Sequence, residues 1–369
     1  MLIDSTLREG AQAYGVHFGP GAKRRVAELL AQAGAEEIEC GWLGQEGLAD
    51  FLAWAAQALP EAAKGRTPSL SVWCPCREAD ARAAAELVQA GLAQRVNIGA
   101  PSSAAHREKR LGLSRADMAA RVLHVVDTAR RQGADYVSVG LEDISRADAE
   151  EALDLARVAV AAGAARVRLS DTVGLLTPES TVRLVERFAA DLPVPVALHA
   201  HNDLGMATAN AITALGHGAA FVDVSALGLG ERAGIAALEQ VAAWARTACG
   251  AAYDLTVLRA LCLLAGQAAE VSVPRNRPVV GQDIFAAESG IHVHGIARDP
   301  SLFEPFDPRA VGAERRVGVG AKSGAAALAQ TLRRLGRQAR PDAGLLERVR
   351  ALGERLGRPL TDSEILGAL

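Results

Sequence analysis

Residues 194–205 read VPVALHAHNDLG. The apolar run at 194–198 is typical of a buried strand, and the apolar spacing near 206–215 predicts a helix directly after it. Because side chains alternate along a strand, His199 and His201 are expected to point to the same face. This stretch therefore predicts one strand–helix unit with two imidazoles at the end of its strand.

The same alternation of a short β-rich run and a helical run occurs before and after this unit. The predicted strands are residues 2–4, 37–40, 70–73, 96–98, 136–139, 167–169, 194–198 and 222–224. The helices predicted to follow them lie near 22–33, 48–58, 78–91, 115–132, 147–161, 180–189, 206–215 and 236–249. Eight such units in about 250 residues are typical of an α/β fold, the closed (β/α)8 TIM barrel. A doubly wound open sheet would need a glycine-rich phosphate turn after the first strand, and the sequence has none there.

The pattern changes after residue 251. A helix is predicted near 255–269, and a polar, proline-bearing stretch follows at 272–278. The basic tail at 323–369 again has helical character. We therefore expect a barrel over residues 1–251 and a mainly helical C-terminal appendage over residues 252–369.

Composition excludes several classes of protein. The 369 residues carry a net charge of −3, which gives no reason to expect nucleic acid or an anionic membrane as a partner. No apolar run reaches the roughly 18 residues that a membrane-spanning helix needs, and the opening Met-Leu-Ile-Asp is unlike a signal peptide. The five cysteines are expected to be reduced thiols, so we expect a cytoplasmic protein.

Polar residues fall where the predicted strands end, and in a TIM barrel the chemistry sits at the C-terminal ends of the strands. Residues of this kind follow the first, second, fifth, sixth, seventh and eighth predicted strands. They are Arg8, Glu9, Glu39, Glu142, Asp143, Asp171, Thr172, His199, His201, Glu231 and Arg232. This placement predicts a functional site at one end of the barrel.

Glu9, His199 and His201 form a candidate metal site. Two histidines and one carboxylate leave open positions on a divalent ion, which can then polarise a carbonyl oxygen. The alternative is that the histidines are ordinary core residues. Arg8 would lie beside the metal and could stabilise an oxyanion. Its alternative is an ion pair with Glu231.

Several further residues are candidates for substrate contacts or proton transfer. Glu39, Arg146 and Thr172 could contact substrate or be structural. His292 suits proton transfer because histidine titrates near neutrality, although it could equally be a solvated turn residue on a loop. The glycines of the run 228–230 could let a phosphate-bearing or thioester substrate approach the backbone.

The motifs of this chain resemble those of the DRE-TIM metallolyase family, in its acyl-transferring branch of 2-isopropylmalate, citramalate and homocitrate synthases. The resemblance extends from residue 4 to residue 295, and its motifs occur in the family's order. They are residues 4–10 (DSTLREG) with Gln12, 171–174 (DTVG), 199–205 (HAHNDLG), 228–234 (GLGERAG) and 290–295 (GIHVHG).

The resemblance implies a Claisen condensation of acetyl-CoA with a 2-oxo acid, followed by hydrolysis of the thioester. Glu9, His199 and His201 would bind Mg²⁺, Mn²⁺ or Zn²⁺, and Arg8 would stabilise the developing oxyanion. His292 would transfer a proton, reaching the barrel of a neighbouring subunit in a homodimer, and its loop would cover the substrate. Gln12 and Thr172 would contact the oxo acid. The other candidate substrate contacts of the barrel are Glu39, Arg146, Glu231 and Arg232.

Within this branch the chain most resembles the homocitrate synthases associated with nitrogen fixation. The resemblance rests on residues 142–148 (EDISRAD), 72–74 (VWC) and 11–16 (AQAYGV), and on the lack of a long regulatory domain. The chain departs from the family at four places. Ile235 replaces a ligating asparagine, Ala197 replaces a glutamate, residues 320–324 read GAKSG, and His294 replaces an aspartate.

Three alternatives remain open beside an acyltransferase that acts on 2-oxoglutarate. The same chemistry on 2-oxoisovalerate, pyruvate or oxaloacetate would make a 2-isopropylmalate, citramalate or citrate synthase. A retro-aldol lyase could use the same metal. A binding protein could have kept the fold without catalysis, an alternative for which Ile235 is the best argument and which Arg8 and Glu9 oppose.

Overall fold

A computed structural model describes residues 1–63, 65–337 and 341–369. These residues form two compact units, Met1–Val273 and Pro274–Leu369. No helix of the described ranges is both long and apolar enough to cross a bilayer.

The first unit is built on a closed barrel of eight parallel strands, as the sequence predicts. Neighbours in the chain are neighbours in the barrel, and the first strand pairs with the last through Ile3 and Asp223. The strands are β1 Leu2–Asp4, β2 Glu37–Trp42, β3 Ser69–Pro75, β4 Arg95–Pro101, β5 Val137–Glu142, β6 Arg166–Asp171, β7 Val196–Ala200 and β8 Phe221–Val224. The TIM barrel prediction is therefore confirmed.

One helix follows each strand. These helices are α1 Pro20–Ala33, α2 Leu48–Ala62, α3 Glu78–Gln89, α4 Arg115–Arg131, α5 Ala149–Ala161, α6 Pro178–Asp191, α7 Ala207–Gly216 and α8 Leu238–Cys249. Several begin at side chains that cap the helix: Ser114 accepts from Asp117 N–H before α4, and Thr177 accepts from Ser180 N–H before α6. Apolar side chains of the strands, such as Ile38 and Val139, are fully buried.

The barrel interior is largely polar. Glu37 on β2 reaches across to Arg166 on β6, and the two hydrogen bonds are 2.7 and 3.0 Å long. A small apolar cluster of Ile3, Ala197 and Phe221 also lies in the barrel. Ala197 therefore contacts the apolar part of the interior.

The two units divide after Val273, whereas the sequence predicts a boundary at residue 251. A further helix, α9 (Leu258–Ala268), packs against α1 and places residues 252–273 with the barrel. Leu258, Leu261 and Cys262 are buried on this helix, so it completes the outer layer of the first unit. The second unit begins at Pro274 instead.

The second unit is mainly helical, as expected. Its helices are α10 Gly290–Arg298, α11 Ala325–Arg334, α12 Ala343–Leu356 and α13 Asp362–Gly367, and β9 Ala286–Ala287 pairs with β10 Arg316–Val317. Its core includes Val293, Leu328 and Val349. Residues 290–295, expected in a loop, form the first turns of α10, because Ser289 precedes them in extended geometry and Val293 is buried on the inner face.

Candidate active site

Glu9, His199 and His201 come together at the C-terminal end of the barrel. Glu9 follows β1, His199 lies on β7, and His201 follows β7 directly. Glu9 Oε2 lies 3.9 Å from His199 Nε2, and Glu9 Oε1 lies 3.9 Å from His201 Nε2. One donor atom from each residue lies within 4.8 Å of the others, which is close enough for all three to hold one metal ion.

A hydrogen bond orients the ring of His199, whereas burial sets the protonation state of His201. His199 Nδ1 lies 2.6 Å from Asp223 Oδ2, which orients its Nε2 toward Glu9. Burial, and then the neighbouring His199, lowers the pKa of His201 to about 3. His201 is therefore neutral at pH 7, as a metal ligand must be. Its Nδ1 is buried and finds no hydrogen-bond partner among the described residues.

Arg8 is the cation that pairs with the carboxylate of the candidate ligand Glu9. Its guanidinium pairs with Glu9, and its Nε donates to Glu39 Oε2 at 2.5 Å. Burial alone would raise the pKa of Glu9, but Arg8 and the two histidines lower it to about 2. Glu9 is therefore an anion. The alternative ion pair between Arg8 and Glu231 is absent from the described contacts.

The glycine-rich run 228–234 packs against Glu9. Glu231 N–H donates to Glu9 Oε1 at 3.2 Å, and a Cβ on Gly230 would lie 3.1 Å from Glu9 Cγ. Gly234 has φ of +81°, and a Cβ there would lie 1.8 Å from Gly228 O. These glycines are required to close the turn around the carboxylate, which is a structural role that the sequence did not indicate.

A cavity of about 200 Å³ opens beside the cluster. It has sixteen lining residues, namely Arg8, Glu9, Gln12, Trp73, Asn97, Ile98, Gly99, Arg110, Gly140, Glu142, Arg168, Ser170, Thr172, His199, His201 and Glu231. The sequence-predicted residues Gln12, Thr172 and Glu231 thus share one cavity with the candidate metal ligands.

Three predicted substrate residues do not line this cavity, namely Glu39, Arg146 and Arg232. Glu39 is fully buried, where Arg8, Arg168, Asn97 and Ser5 all donate to its carboxylate, so it positions the two arginines.

Arg146 and Arg232 have protein partners of their own. Arg146 is held by Asp143 through a contact of 2.8 Å. Arg232 pairs with Asp203 at 2.9 Å and also donates to the Thr172 carbonyl. Both arginines therefore brace the loops that surround the cavity.

His292 belongs to the second unit. It is exposed in the first turn of α10, where Nδ1 lies 2.7 Å from Ser289 Oγ and the ring centroid lies 4.5 Å from that of Phe303. Its role as a proton-transfer residue stays a prediction.

Ile235 does not point to a missing ligand. It is buried, its N–H donates to Gly228 O at 2.9 Å, and its backbone forms a bridge with His201. The residue therefore supports the end of β7, and Glu9, His199 and His201 remain the candidate ligand set.

Eight cavity residues were not among the candidates from the sequence: Trp73, Asn97, Ile98, Gly99, Arg110, Gly140, Arg168 and Ser170. One signal was available, because two arginines two positions apart, Arg166 just before the predicted strand 167–169 and Arg168 within it, are unusual in a barrel wall. The side chain of Trp73 has no such signal. Its ring lies over Gly99, where a Cβ would come within 2.8 Å of Trp73 Cζ2.

A closed parallel barrel with two histidines, a carboxylate and an arginine at its C-terminal end defines a TIM barrel with a candidate metal centre. A family model described as HMGL-like matches residues 1–262, and one described as homocitrate synthase post-HMGL domain-like matches residues 279–355. The chain belongs to the HMGL-like family, in the branch of the homocitrate and 2-isopropylmalate synthases.

Similar proteins agree with this assignment. The chain is 40% identical over 339 residues to a homocitrate synthase of Frankia alni, which covers 91% of this chain and 93% of that protein. It is 35% identical to 2-isopropylmalate synthase 2 of Caldanaerobacter subterraneus, over 99% of this chain and 94% of the relative. It is 37% identical to a 2-phosphonomethylmalate synthase of Streptomyces rubellomurinus, over 99% of this chain and 96% of the relative.

The fold has solved counterparts. A hydroxymethylglutaryl-CoA lyase from Pseudomonas aeruginosa superposes with a TM-score of 0.63 over 73% of this chain and 93% of that chain. Its sequence identity is 23%, so this likeness supports the barrel fold alone.

Proposed function

We propose that this protein condenses the acetyl group of acetyl-CoA with a 2-oxo acid, and that the oxo acid is 2-oxoglutarate, which gives homocitrate. The observation that carries the proposal is the convergence of Glu9, His199 and His201 with Arg8 at one cavity. The relatives named homocitrate, 2-isopropylmalate and 2-phosphonomethylmalate synthases support the same class of reaction.

Glu9, His199 and His201 would hold a divalent cation, Mg²⁺, Mn²⁺ or Zn²⁺. The donor set fits, because Glu9 is anionic, His201 is neutral, and His199 is oriented by Asp223. A bound cation supplies Lewis acidity to the keto oxygen of the substrate.

The arginine and the neutral polar residues of the cavity bind and orient the oxo acid. Arg8 is fixed by Glu9 and Glu39, so its charge is in place before the keto oxygen becomes negative. Gln12, whose Oε1 lies 3.4 Å from Arg8 Nη1, and Thr172 would contact the carboxylate next to the keto carbon. Thr172 Oγ1 accepts from Asp143 N–H at 2.8 Å, which holds the hydroxyl in place.

The reaction balances with two proton transfers and one water. A base takes a proton from the methyl group of acetyl-CoA, and we assign this step to His292. The methyl carbon forms a bond to the keto carbon, the keto oxygen accepts a proton, and water then cleaves the thioester to a carboxylate and the CoA thiol.

Release of free thiol tests the proposal. We expect the purified protein with Mg²⁺ or Mn²⁺ to release CoA thiol from acetyl-CoA when 2-oxoglutarate is added, with homocitrate identified by mass spectrometry. Pyruvate, oxaloacetate and 2-oxoisovalerate complete the panel. The synthase proposal fails if no oxo acid releases thiol while a hydroxyacyl-CoA or a 4-hydroxy-2-oxo acid is cleaved.

The proposal includes a setting for the protein. We infer a homodimer in the cytoplasm, in which His292 of one protomer serves the barrel of its partner, and a role of the homocitrate in nitrogen fixation. The five cysteines are free thiols, and a lack of disulfides is typical of proteins in a reducing compartment.

A further inference from the structure

Arg168 is a buried cation whose hydrogen bonds are incomplete. It lies on β6, is 3% exposed, and lines the cavity next to Ser170. Its Nη1 donates to Glu39 Oε1 at 3.1 Å, and its Nε lies 3.2 Å from Asp223 Oδ2. Its Nη2 is buried and has no hydrogen-bond partner among the described residues. A guanidinium donor buried in this way costs free energy unless a ligand accepts from it.

The other arginines that line the cavity have their partners within the protein. Arg8 is paired with Glu9 and Glu39, and Arg110 is paired with Glu142 at 2.6 Å. Arg168 is therefore the cavity arginine with a terminal donor, Nη2, that pairs with no described residue. Because a guanidinium fork matches an oxyanion in shape and charge, a carboxylate or phosphonate is the expected acceptor.

The cavity has room for such a group because two strands carry glycine at the same level. A Cβ on Gly140 would lie 3.9 Å from Arg168 Cδ and 3.6 Å from Ser170 Oγ. A Cβ on Gly99 would lie 2.5 Å from Glu142 Oε1, so a side chain there would displace the cavity wall. Any larger residue at Gly140 would extend toward the space beside Arg168.

The cavity offers two cationic side chains to a substrate. One is Arg8, which lies beside the candidate metal ligands, and the other is Arg168. A substrate with two anionic groups therefore finds a partner for each, one at the metal and Arg8, the other at Arg168.

We propose that Arg168 binds the anionic group at the far end of the oxo acid from the keto carbon and so determines specificity for doubly anionic substrates. This inference rests on the proposed function and narrows its substrate class. The anionic group is a carboxylate or a phosphonate, and the experiment includes both.

Pairs of substrates that differ only at the far end test this on the wild-type protein. We expect kcat/KM for 2-oxoglutarate to exceed that for 2-oxopentanoate, which has a methyl group in place of the carboxylate, by at least about 100-fold. Oxaloacetate and 3-phosphonopyruvate form a second pair that separates carboxylate from phosphonate. Equal kcat/KM for 2-oxoglutarate and 2-oxopentanoate would overturn the inference and leave the proposed condensation intact.

Variants of Arg168 test whether this side chain causes the preference for 2-oxoglutarate. We expect Arg168→Gln to raise KM for 2-oxoglutarate by about 100-fold while KM for acetyl-CoA changes by less than about threefold, and Arg168→Lys to recover part of the loss. The matched control is Arg166→Gln, because Arg166 lies on the same strand, does not line the cavity, and donates to Glu37 and Asn97. It should lower thermal stability but keep the ratio of kcat/KM between 2-oxoglutarate and 2-oxopentanoate.

Binding measurements separate the two proposals if no thiol is released. Calorimetric titration of 2-oxoglutarate into the Mg²⁺-loaded wild-type protein and into Arg168→Gln measures the arginine directly. Weaker binding to the variant supports the role of Arg168 even if the condensation is wrong. Equal binding to the two proteins overturns it.

Discussion

At the scale of single residues, the candidate site depends on side chains that do not line its cavity, such as Asp223. His199 can present Nε2 to a metal because its other ring nitrogen is held by Asp223, which is itself fully buried and also faces Arg168. The sequence predicted His199, His201 and Glu9 from strand spacing. It could not predict Asp223 as a partner, because that contact forms only when β7 and β8 pair in register.

Replacing Asp223 tests this positioning role. We expect Asp223→Asn to weaken divalent-metal affinity by about 10- to 100-fold, because a neutral amide makes His199 a poorer ligand. Equilibrium dialysis with Mn²⁺ measures the affinity without any assay of activity. The matched control is Glu142→Gln, which also removes a carboxylate at the cavity but contacts Arg110 rather than a histidine.

The Glu142→Gln protein should bind Mn²⁺ within about threefold of the wild-type affinity. If Asp223→Asn also binds Mn²⁺ as tightly as the wild-type protein, then Asp223 does not orient a metal ligand.

At the scale of elements, the sequence predicted all eight strands and their helices, and the errors were in their ends. Strand β7 was predicted at 194–198 and lies at Val196–Ala200, because Pro195 has no N–H to donate. Helix α5 was predicted from 147 and begins after Asp148, whose side chain caps it. The polar layer inside the barrel could not be predicted, since it joins β2 to β6 across the interior.

That layer gives a prediction on stability. Burial alone would raise the pKa of Glu37, but Arg166 and Arg95 lower it to about 2. The unfolded chain titrates near the ordinary value of 4.5. The folded pKa is the lower one, so the stabilisation by Glu37 is fully present above pH 4.5 and is lost as the pH falls toward 2.

We expect Glu37→Gln to lower the free energy of unfolding at pH 7 by about 3 kcal/mol, because it leaves two buried guanidinium groups short of a counter-charge. Urea denaturation of both proteins at pH 7 and pH 3 measures this, and the difference between them should shrink at pH 3. The control is Glu179→Gln, which removes an exposed partner of Arg183 on α6 and should leave the midpoint unchanged. An equal difference at both pH values would contradict the assignment.

At the scale of the whole molecule, the two units match the two family models, which cover residues 1–262 and 279–355. The candidate metal ligands lie in the first unit and His292 lies in the second. The sequence predicted this separation of roles but set the boundary at 251, because the apolar face of α9 does not show which neighbour it packs against. The assembly that would bring His292 to a barrel stays a prediction.

Mixing two inactive proteins tests whether His292 acts across a dimer. We expect Glu9→Gln and His292→Ala each to lose condensation activity, and a mixture with exchanged subunits to regain about a quarter of the wild-type sites. In the mixed dimer, one barrel keeps Glu9 and receives an intact His292 from its partner. A mixture of Glu9→Gln with His201→Ala is the control and should stay inactive, because every barrel then lacks one ligand. If the first mixture also stays inactive although size-exclusion chromatography and mass spectrometry show mixed dimers, His292 serves its own protomer or none, and the base must be sought within the chain that holds the metal.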